Sequence, residues 1–102
     1  MEKLKKEEIL KELEKIKDPE IGHSIVDLGL IYGIKINKEK PAIRIKMTLT
    51  SFACPLGGVI EEEIKKRLGE KFNIKDIKID FVFEPPWTPQ KMSEKLKRQL
   101  GF

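Results

Sequence analysis

Apolar and polar residues alternate along the chain with two periods, which predict six elements in the order α-β-β-α-β-α. Helical spacing predicts a first helix over residues 3–17, and Asp18-Pro19 ends it because proline disfavours helical geometry in the residue before it. Strict alternation predicts strands over residues 30–36, 43–50 and 77–83. Helical spacing returns over residues 55–68, with Gly69 expected to end that helix, and over residues 88–100, with Thr88 expected to cap it.

The order of these elements predicts the fold class. Residues 37–41 form a short polar turn, so the first two strands are expected to pair as a hairpin. The third strand completes a small three-stranded sheet, and helices with one apolar face each are expected to pack on one face of it. The predicted fold is therefore an α/β (α+β) two-layer sandwich. In the second strand, Thr48 and Thr50 fall on the polar face. The predicted buried face of the second helix contains Leu56, Val59, Ile60, Ile64 and Leu68.

Length and composition predict one domain over residues 1–102, because a chain of 102 residues builds one modest core. The residues are 39% hydrophobic and 37% charged, which favours a folded globular protein over a disordered one. No apolar run approaches the roughly 20 residues of a membrane span, and the N-terminus lacks the apolar stretch of a secretory signal. One cysteine excludes an internal disulfide, as expected in a reducing cytoplasm. We therefore expect a cytoplasmic protein with no membrane partner.

The net charge of +4 does not by itself predict nucleic-acid binding. The 21 basic residues are interleaved with 17 acidic ones along the sequence. In the second helix, three glutamates at 61–63 precede three basic residues at 65–67 by four positions, the favourable order for pairs on a helix surface. The charge therefore indicates a solvated surface, and no nucleic-acid partner is expected.

The single cysteine, Cys54, lies where the second strand pattern stops and the second helix pattern starts. A thiol at the start of a helix faces unpaired backbone N–H groups and the positive end of the helix dipole, which favour the thiolate. Thiolate is the form that binds metal or acts as a nucleophile. The alternative interpretation is a small buried hydrophobic residue, because free cysteine is among the most buried residue types.

Polar residues near Cys54 extend this candidate site. The hydroxyls of Thr50 and Ser51 are able to hydrogen-bond a thiolate, a sulfide or an anion, although threonine also suits a strand and serine a loop. Asp18 and Glu20 offer two carboxylates that are either metal ligands or hydrogen-bond acceptors for the Cys54 loop. The alternative for this pair is a turn that stops the first helix.

Two further segments carry open alternatives. Gly57-Gly58 is unfavourable inside a helix, so these glycines indicate either close approach of a ligand or second chain, or tight packing on the sheet. Pro85-Pro86-Trp87 is stiff and amphipathic. It either presents Trp87 to a partner as an aromatic anchor or covers the open edge of a small core.

Five motifs occur in order across almost the whole chain and together resemble one family. They are Asp18-Pro19-Glu20, Val26-Asp27-Leu28-Gly29-Leu30-Ile31, Met47-Thr48-Leu49-Thr50, Cys54-Pro55-Leu56 and Pro85-Pro86-Trp87-Thr88-Pro89. This pattern resembles the small iron–sulfur cluster assembly factors of the SufT-like and PaaD-like type, which are related to the eukaryotic cytosolic iron–sulfur targeting adaptor. The cysteine-rich tail of the PaaD branch does not follow the last predicted helix, so a role in the phenylacetate pathway is not expected.

The resemblance implies a non-enzymatic role in maturing iron–sulfur proteins, as a carrier or as an adaptor between cluster donors and apoprotein clients. It implies a functional pocket formed by Asp18, Glu20, Thr50, Ser51 and Cys54, and a partner-binding segment at Pro85, Pro86 and Trp87. Cys54 is then the expected ligand of a transient iron–sulfur cluster. A cluster normally takes four thiolate-type ligands, so one thiol per chain predicts a homodimer or a hetero-complex that shares it.

Two other functions stay open at this point. One is a pure adaptor that docks clients through Pro86 and Trp87 and binds no metal. The other is a thiol-dependent redox protein with Cys54 as nucleophile, which is disfavoured because no resolving cysteine is present.

Overall fold

The computed structural model describes residues 5–19, 21–37, 39–50 and 57–101. Its elements follow the predicted order, with one short 3₁₀ helix before the last α-helix. They are α1 (Lys6–Leu13), β1 (Ile31–Asn37), β2 (Ala42–Met47), α2 (Gly57–Phe72), β3 (Asp76–Phe81), the 3₁₀ helix (Pro89–Lys91) and α3 (Glu94–Leu100). The predicted α+β fold class is therefore confirmed. None of the helices within the described ranges is long and apolar enough to cross a membrane.

The three strands form one mixed sheet in the order β1-β2-β3. β1 and β2 pair antiparallel, which confirms the predicted hairpin, and β2 pairs with β3 in parallel. The parallel pair requires a crossover, and α2 supplies it. The β1–β2 register shifts between Ile31 and Gly33, so Tyr32 is an extra residue in a β-bulge.

The core lies between the sheet and the helices. α1 contacts α2 and β1, and α2 contacts β3. The period of two in β2 is confirmed, because Ile43, Ile45 and Met47 are buried while Arg44 and Lys46 are exposed. The fully buried aliphatic side chains from the helices and the turn before β1 are Ile9, Leu13, Ile25, Leu28, Leu30, Ile60, Ile64 and Leu68.

The first helix ends at Leu13 and is shorter than predicted. The amides of Lys15 and Ile16 bond to carbonyls three residues back, so the chain tightens as it leaves the helix. Lys17 and Ser24 then form an isolated antiparallel bridge. Periodicity over 3–17 did not predict this end, because Ile16 stays buried after the helical geometry has stopped.

The second helix continues through Gly69 to Phe72, so the prediction that Gly69 ends it is wrong. Asn73 ends the helix instead, with a left-handed φ of 55°. A Cβ atom at position 69 would lie 3.3 Å from the carbonyl oxygen of Ile74. Gly69 therefore permits the close return of the chain after the helix. The predicted start at Pro55 lies outside the described residues.

The last predicted helix is two separate elements. The 3₁₀ helix Pro89–Lys91 is followed by Met92 and Ser93 in extended geometry, each with ψ of 154°. The Ser93 hydroxyl accepts a hydrogen bond of 3.2 Å from the amide of Leu96 and so caps α3. Thr88 makes no side-chain cap bond, so the prediction that it opens one continuous helix is wrong.

Candidate functional site

A C-terminal strap, residues 84–93, packs on the turn of residues 24–29 and on the start of β1. The indole Nε1 of Trp87 donates a hydrogen bond of 2.6 Å to the carbonyl oxygen of Leu28. The Tyr32 hydroxyl donates one of 2.8 Å to the carbonyl oxygen of Pro85. Trp87 is half-buried and packs against the core, whereas Pro85 and Pro86 are exposed. Trp87 thus holds the strap against the core, and the two prolines form part of the exposed surface of the strap.

The strap is fixed at a second point by Gly29 and Lys91. Gly29 has a left-handed φ of 77°, and a Cβ atom there would overlap the carbonyl group of Lys91. The amide of Ser93 donates a 2.7 Å hydrogen bond to the carbonyl of Asp27. The Lys91 ammonium lies 5.0 Å from the centroid of the Tyr32 ring, within cation–π range. The turn and the strap are therefore in backbone contact.

Asp18 lies on the turn after α1 and is fully buried. Its amide donates a 2.9 Å hydrogen bond to the carbonyl of His23, and its own carbonyl accepts a 2.7 Å bond from the amide of Gly22. Its carboxylate also faces the turn, since Oδ1 accepts from the amide of Ile21 at 3.4 Å. Asp18 therefore organises this turn, as its turn-forming alternative predicts.

A groove of about 410 Å³ connects the Asp18 turn to the first turns of α2. Pro19 lines one side of it, and Val59 and Ile60 line the other. Val59 is 53% exposed, so its predicted place on the buried face of the helix is wrong. Ile60 and not Val59 faces the core, which leaves Val59 as an apolar residue on the groove. Lys66 also lines the groove and belongs to no ion pair among the described residues.

The two glycines at the start of α2 have different surroundings. A Cβ atom on Gly57 would lie 3.1 Å from Cδ1 of Leu49, so this glycine permits the helix to approach the end of β2. A Cβ atom on Gly58 would meet none of the described residues within 4 Å. Tight packing, one of the two alternatives from the sequence, therefore explains Gly57 but leaves Gly58 unexplained.

The two threonines at the end of β2 also differ. Thr48 is fully buried, so its prediction as a residue of the polar face is wrong. Its amide donates a 2.9 Å hydrogen bond to Leu30, and the amide of Val82 bonds to Met47 at 2.8 Å. At this end of the sheet, the backbone on both sides of β2 therefore continues the hydrogen bonding beyond the ends of β1 and β3. Thr50 is half-buried and precedes the connection to α2.

Three of the predicted pocket residues, Glu20, Ser51 and Cys54, lie outside the described residues. The described ranges contain Asp18 and Thr50, and each lies in a segment next to the start of α2. Pro19, which follows Asp18, lines the same groove as Val59. Leu49, which precedes Thr50, packs against Gly57. No group of three or more His, Cys, Asp or Glu side chains with metal-binding geometry occurs within those ranges. The predicted pocket thus remains a prediction.

Two of the residues that hold the strap, Tyr32 and Gly29, were not predicted from the sequence. Tyr32 was read as one member of an alternating strand, but the β-bulge displaces it from that pattern and it reaches Pro85. No local pattern around Gly29 predicts that Lys91, 62 positions later, approaches it. A tyrosine beside a glycine in a strand, as in Tyr32-Gly33, is the one available signal, because glycine in a strand often marks a bulge.

Comparison with known proteins gives a family match and close relatives. A family model described as an iron–sulfur cluster assembly protein matches residues 6–81. The chain is 45% identical over 101 residues to the Fe-S protein maturation auxiliary factor YitW of Bacillus subtilis, covering 99% of this chain and 98% of that protein. It is 42% identical over 84 residues to the Fe-S protein maturation auxiliary factor SufT of Staphylococcus aureus, covering 82% and 94%.

A solved structure supports the same fold. The crystal structure of a domain of unknown function, DUF59, from Bacillus anthracis superimposes with a TM-score of 0.86 at 35% sequence identity. The match covers 94% of this chain and 91% of that one.

Proposed function

Because the chain belongs to the iron–sulfur cluster assembly protein family, we propose that it helps mature iron–sulfur proteins as a non-enzymatic carrier or adaptor. Two relatives that it matches over most of their length are named maturation auxiliary factors, which supports this role. Its partners are then cluster donors or scaffolds and apo iron–sulfur client proteins, and we propose that they meet in the cytoplasm.

The observation that carries the proposal is the space beside Gly58, where no described residue lies within 4 Å of an added Cβ atom. Glycine in a helix is less stable than alanine by up to about 1 kcal/mol, so a glycine that no neighbour requires points to another role. Only Pro55 and Leu56 separate Cys54 from this helix in the sequence. We propose that Gly58 leaves room for the cargo or for partner backbone next to a pocket of Asp18, Glu20, Thr50, Ser51 and Cys54.

The cluster is cargo in this proposal and is shared between chains. Iron–sulfur clusters are held by Cys thiolates, commonly four, and this chain has one cysteine. We propose that Cys54 supplies one ligand and that a second copy or a partner protein supplies others. A homodimer or a hetero-complex would then form when the cluster is present.

Anaerobic reconstitution with ferrous iron and sulfide tests direct ligation. Wild type, Cys54→Ala and Gly58→Ala are loaded in parallel, and bound iron, visible absorbance and molar mass in solution are measured. We expect wild type to take up iron and gain mass as a complex, Cys54→Ala to lose most of the iron, and Gly58→Ala to load less while staying folded. Equal iron content in wild type and Cys54→Ala would contradict direct ligation by Cys54.

A second candidate is an adaptor without bound metal, favoured by the exposure of the strap. Pro85 and Pro86 are exposed, while the Trp87 indole is held by Leu28. In this case the strap surface docks the client, and Cys54 is accessory. Binding to purified apo-ferredoxin separates the two, because Pro86→Glu then abolishes the complex and Cys54→Ala leaves it intact. The reverse result supports the carrier.

A further inference from the structure

Three cations lie side by side across the sheet. In the strand register Lys35 of β1 pairs with Arg44 of β2, and Arg44 pairs with Lys78 of β3. Directly paired residues point to the same face of a sheet, so the three side chains form one row, which we call the cation row. The row spans all three strands of the sheet.

The cation row lies on the face of the sheet opposite the core. Lys35, Arg44 and Lys78 are all exposed, and they alternate with isoleucines of the core. None of the ion pairs within the described ranges involves a member of the row. Charges of both signs are interleaved along the sequence, but the fold brings these three cations together. The predicted solvated surface did not include this cluster.

Such a row is unfavourable in the isolated chain, because like charges directly opposite one another on a sheet repel. Asp76 and Asp80 flank Lys78 along β3 and lie on the same face, but neither forms an ion pair with the row. A groove of about 730 Å³ adjoins the row and is lined in part by Lys35 and Arg44. Two acidic side chains also line this groove, so the positive charge is concentrated in the row itself.

We propose that this face binds an acidic α-helix of a partner protein. Adjacent strands lie about 4.8 Å apart, so the row is about 10 Å long. Carboxylates at positions i, i+3 or i+4, and i+7 of a helix span about 10.5 Å on one side, from the rise of 1.5 Å per residue. One helical stripe of three carboxylates thus matches three cations, and the match does not depend on the proposed role of Cys54.

The same surface is less suited to nucleic acid. Among the paired outward positions of the sheet, none is aromatic, so the face offers no base-stacking platform. A protein that binds a phosphate backbone through about six to ten contacts uses two to three times as many cations as the row supplies. Asp76 and Asp80 would repel a phosphate chain that continued along β3, whereas a helix aligned with the cation row crosses β3 at Lys78.

Fluorescence anisotropy with a labelled helical peptide tests the proposal. The peptide carries glutamates at i, i+4 and i+7 on an alanine-rich helix, and a matched peptide carries glutamine there. Wild type, Arg44→Glu and Lys78→Glu are compared with Lys95→Glu, which changes the charge equally on exposed α3. Circular dichroism verifies folding, and a duplex DNA of equal charge serves as the competing ligand.

We expect wild type to bind the glutamate peptide at least tenfold more tightly than the glutamine peptide. Arg44→Glu and Lys78→Glu should each weaken binding at least tenfold, and Lys95→Glu less than threefold. An equal loss in all three variants, equal binding of both peptides, or no binding at 1 mM peptide at low salt overturns the proposal. Tighter binding of the DNA with the same dependence on Arg44 also overturns it, in favour of a phosphate site.

Discussion

The indole Nε1 of Trp87 donates a 2.6 Å hydrogen bond to the backbone carbonyl oxygen of Leu28, 59 positions earlier in the chain. Leu28 is fully buried, so the bond ties the strap to residues of the core. This contact favours the second of the two alternatives for Trp87, in which the ring covers the edge of the core. The ring packs on the core, and the neighbouring Pro85 and Pro86 remain exposed.

Substitution of Trp87 by phenylalanine tests how much this bond stabilises the fold. Trp87→Phe keeps an aromatic ring and removes the donor, so we expect a loss of about 1 kcal/mol in the free energy of unfolding. Tyr32→Phe is the control, because it removes the exposed bond to Pro85 and should cost less. Urea denaturation measures both values. A larger loss for Tyr32→Phe would show that β1, and not the core contact, holds the strap.

The two left-handed glycines Gly22 and Gly29 form a matched pair. Gly22→Ala places its methyl group at φ of 81° with none of the described residues within 4 Å, so only backbone strain of about 1–2 kcal/mol is expected. Gly29→Ala has similar backbone strain, and its methyl group also overlaps the Lys91 carbonyl group. Such overpacking commonly lowers stability by a further ~1–3 kcal/mol. Thermal unfolding should therefore show a clearly larger decrease in Tm for Gly29→Ala. Equal decreases would show that the strap moves away without cost.

The helices and strands were predictable because each buries one face, and burial repeats with the period of the element. Ile43, Ile45 and Met47 illustrate this in β2. Element ends were less predictable, since Gly69 and Thr88 have the residue types of a stop and a cap but other contacts in the fold. A local pattern does not show that Ile74 returns onto Gly69 or that Ser93 caps α3.

The candidate site was predictable only in part. Asp18 was identified from its sequence motif, but its burial depends on the pairing of the turn after α1. Val59 was assigned to the core by spacing alone, although the groove beside Pro19 leaves it exposed. The cation row depends on the register of three strands, and no single segment of sequence contains that information.

The division of the last helix gives a direct test of capping. Ser93→Ala removes the hydroxyl that accepts from the Leu96 amide, and loss of such a cap typically costs about 1 kcal/mol. Thr88→Ala should cost less, because Thr88 makes no side-chain cap bond. Chemical denaturation measures both. A larger loss for Thr88→Ala would contradict the break between the 3₁₀ helix and α3.

Repulsion within the cation row predicts a stabilising substitution. Arg44→Thr removes the central charge and introduces a good strand-forming residue, so we expect the free energy of unfolding to rise by about 0.5 kcal/mol at low salt. The gain should shrink as added salt screens the repulsion. Lys95→Thr, on exposed α3, is the control and should not show a salt-dependent gain. A loss of stability in Arg44→Thr that is independent of salt would contradict the repulsion.

Substitutions of Gly57 and Gly58 distinguish a glycine that packing requires from one that leaves space at the start of α2. Gly57→Ala pushes a methyl group against buried Leu49, so overpacking should exceed the gain in helix propensity and lower stability by about 1 kcal/mol. Gly58→Ala meets no neighbour in the described part of the chain and should raise stability by about 0.5–1 kcal/mol. Urea denaturation of the metal-free protein measures both changes.

The decisive result for Gly58 combines stability with iron loading. If its space is used by cargo or a partner, Gly58→Ala is more stable than wild type and yet takes up less iron in anaerobic reconstitution. Gly101→Ala is the control, because it substitutes another exposed glycine, at the end of α3, and should load iron normally while it is folded. A Gly58→Ala protein that is more stable and loads fully would show that the open space beside α2 has no part in maturation.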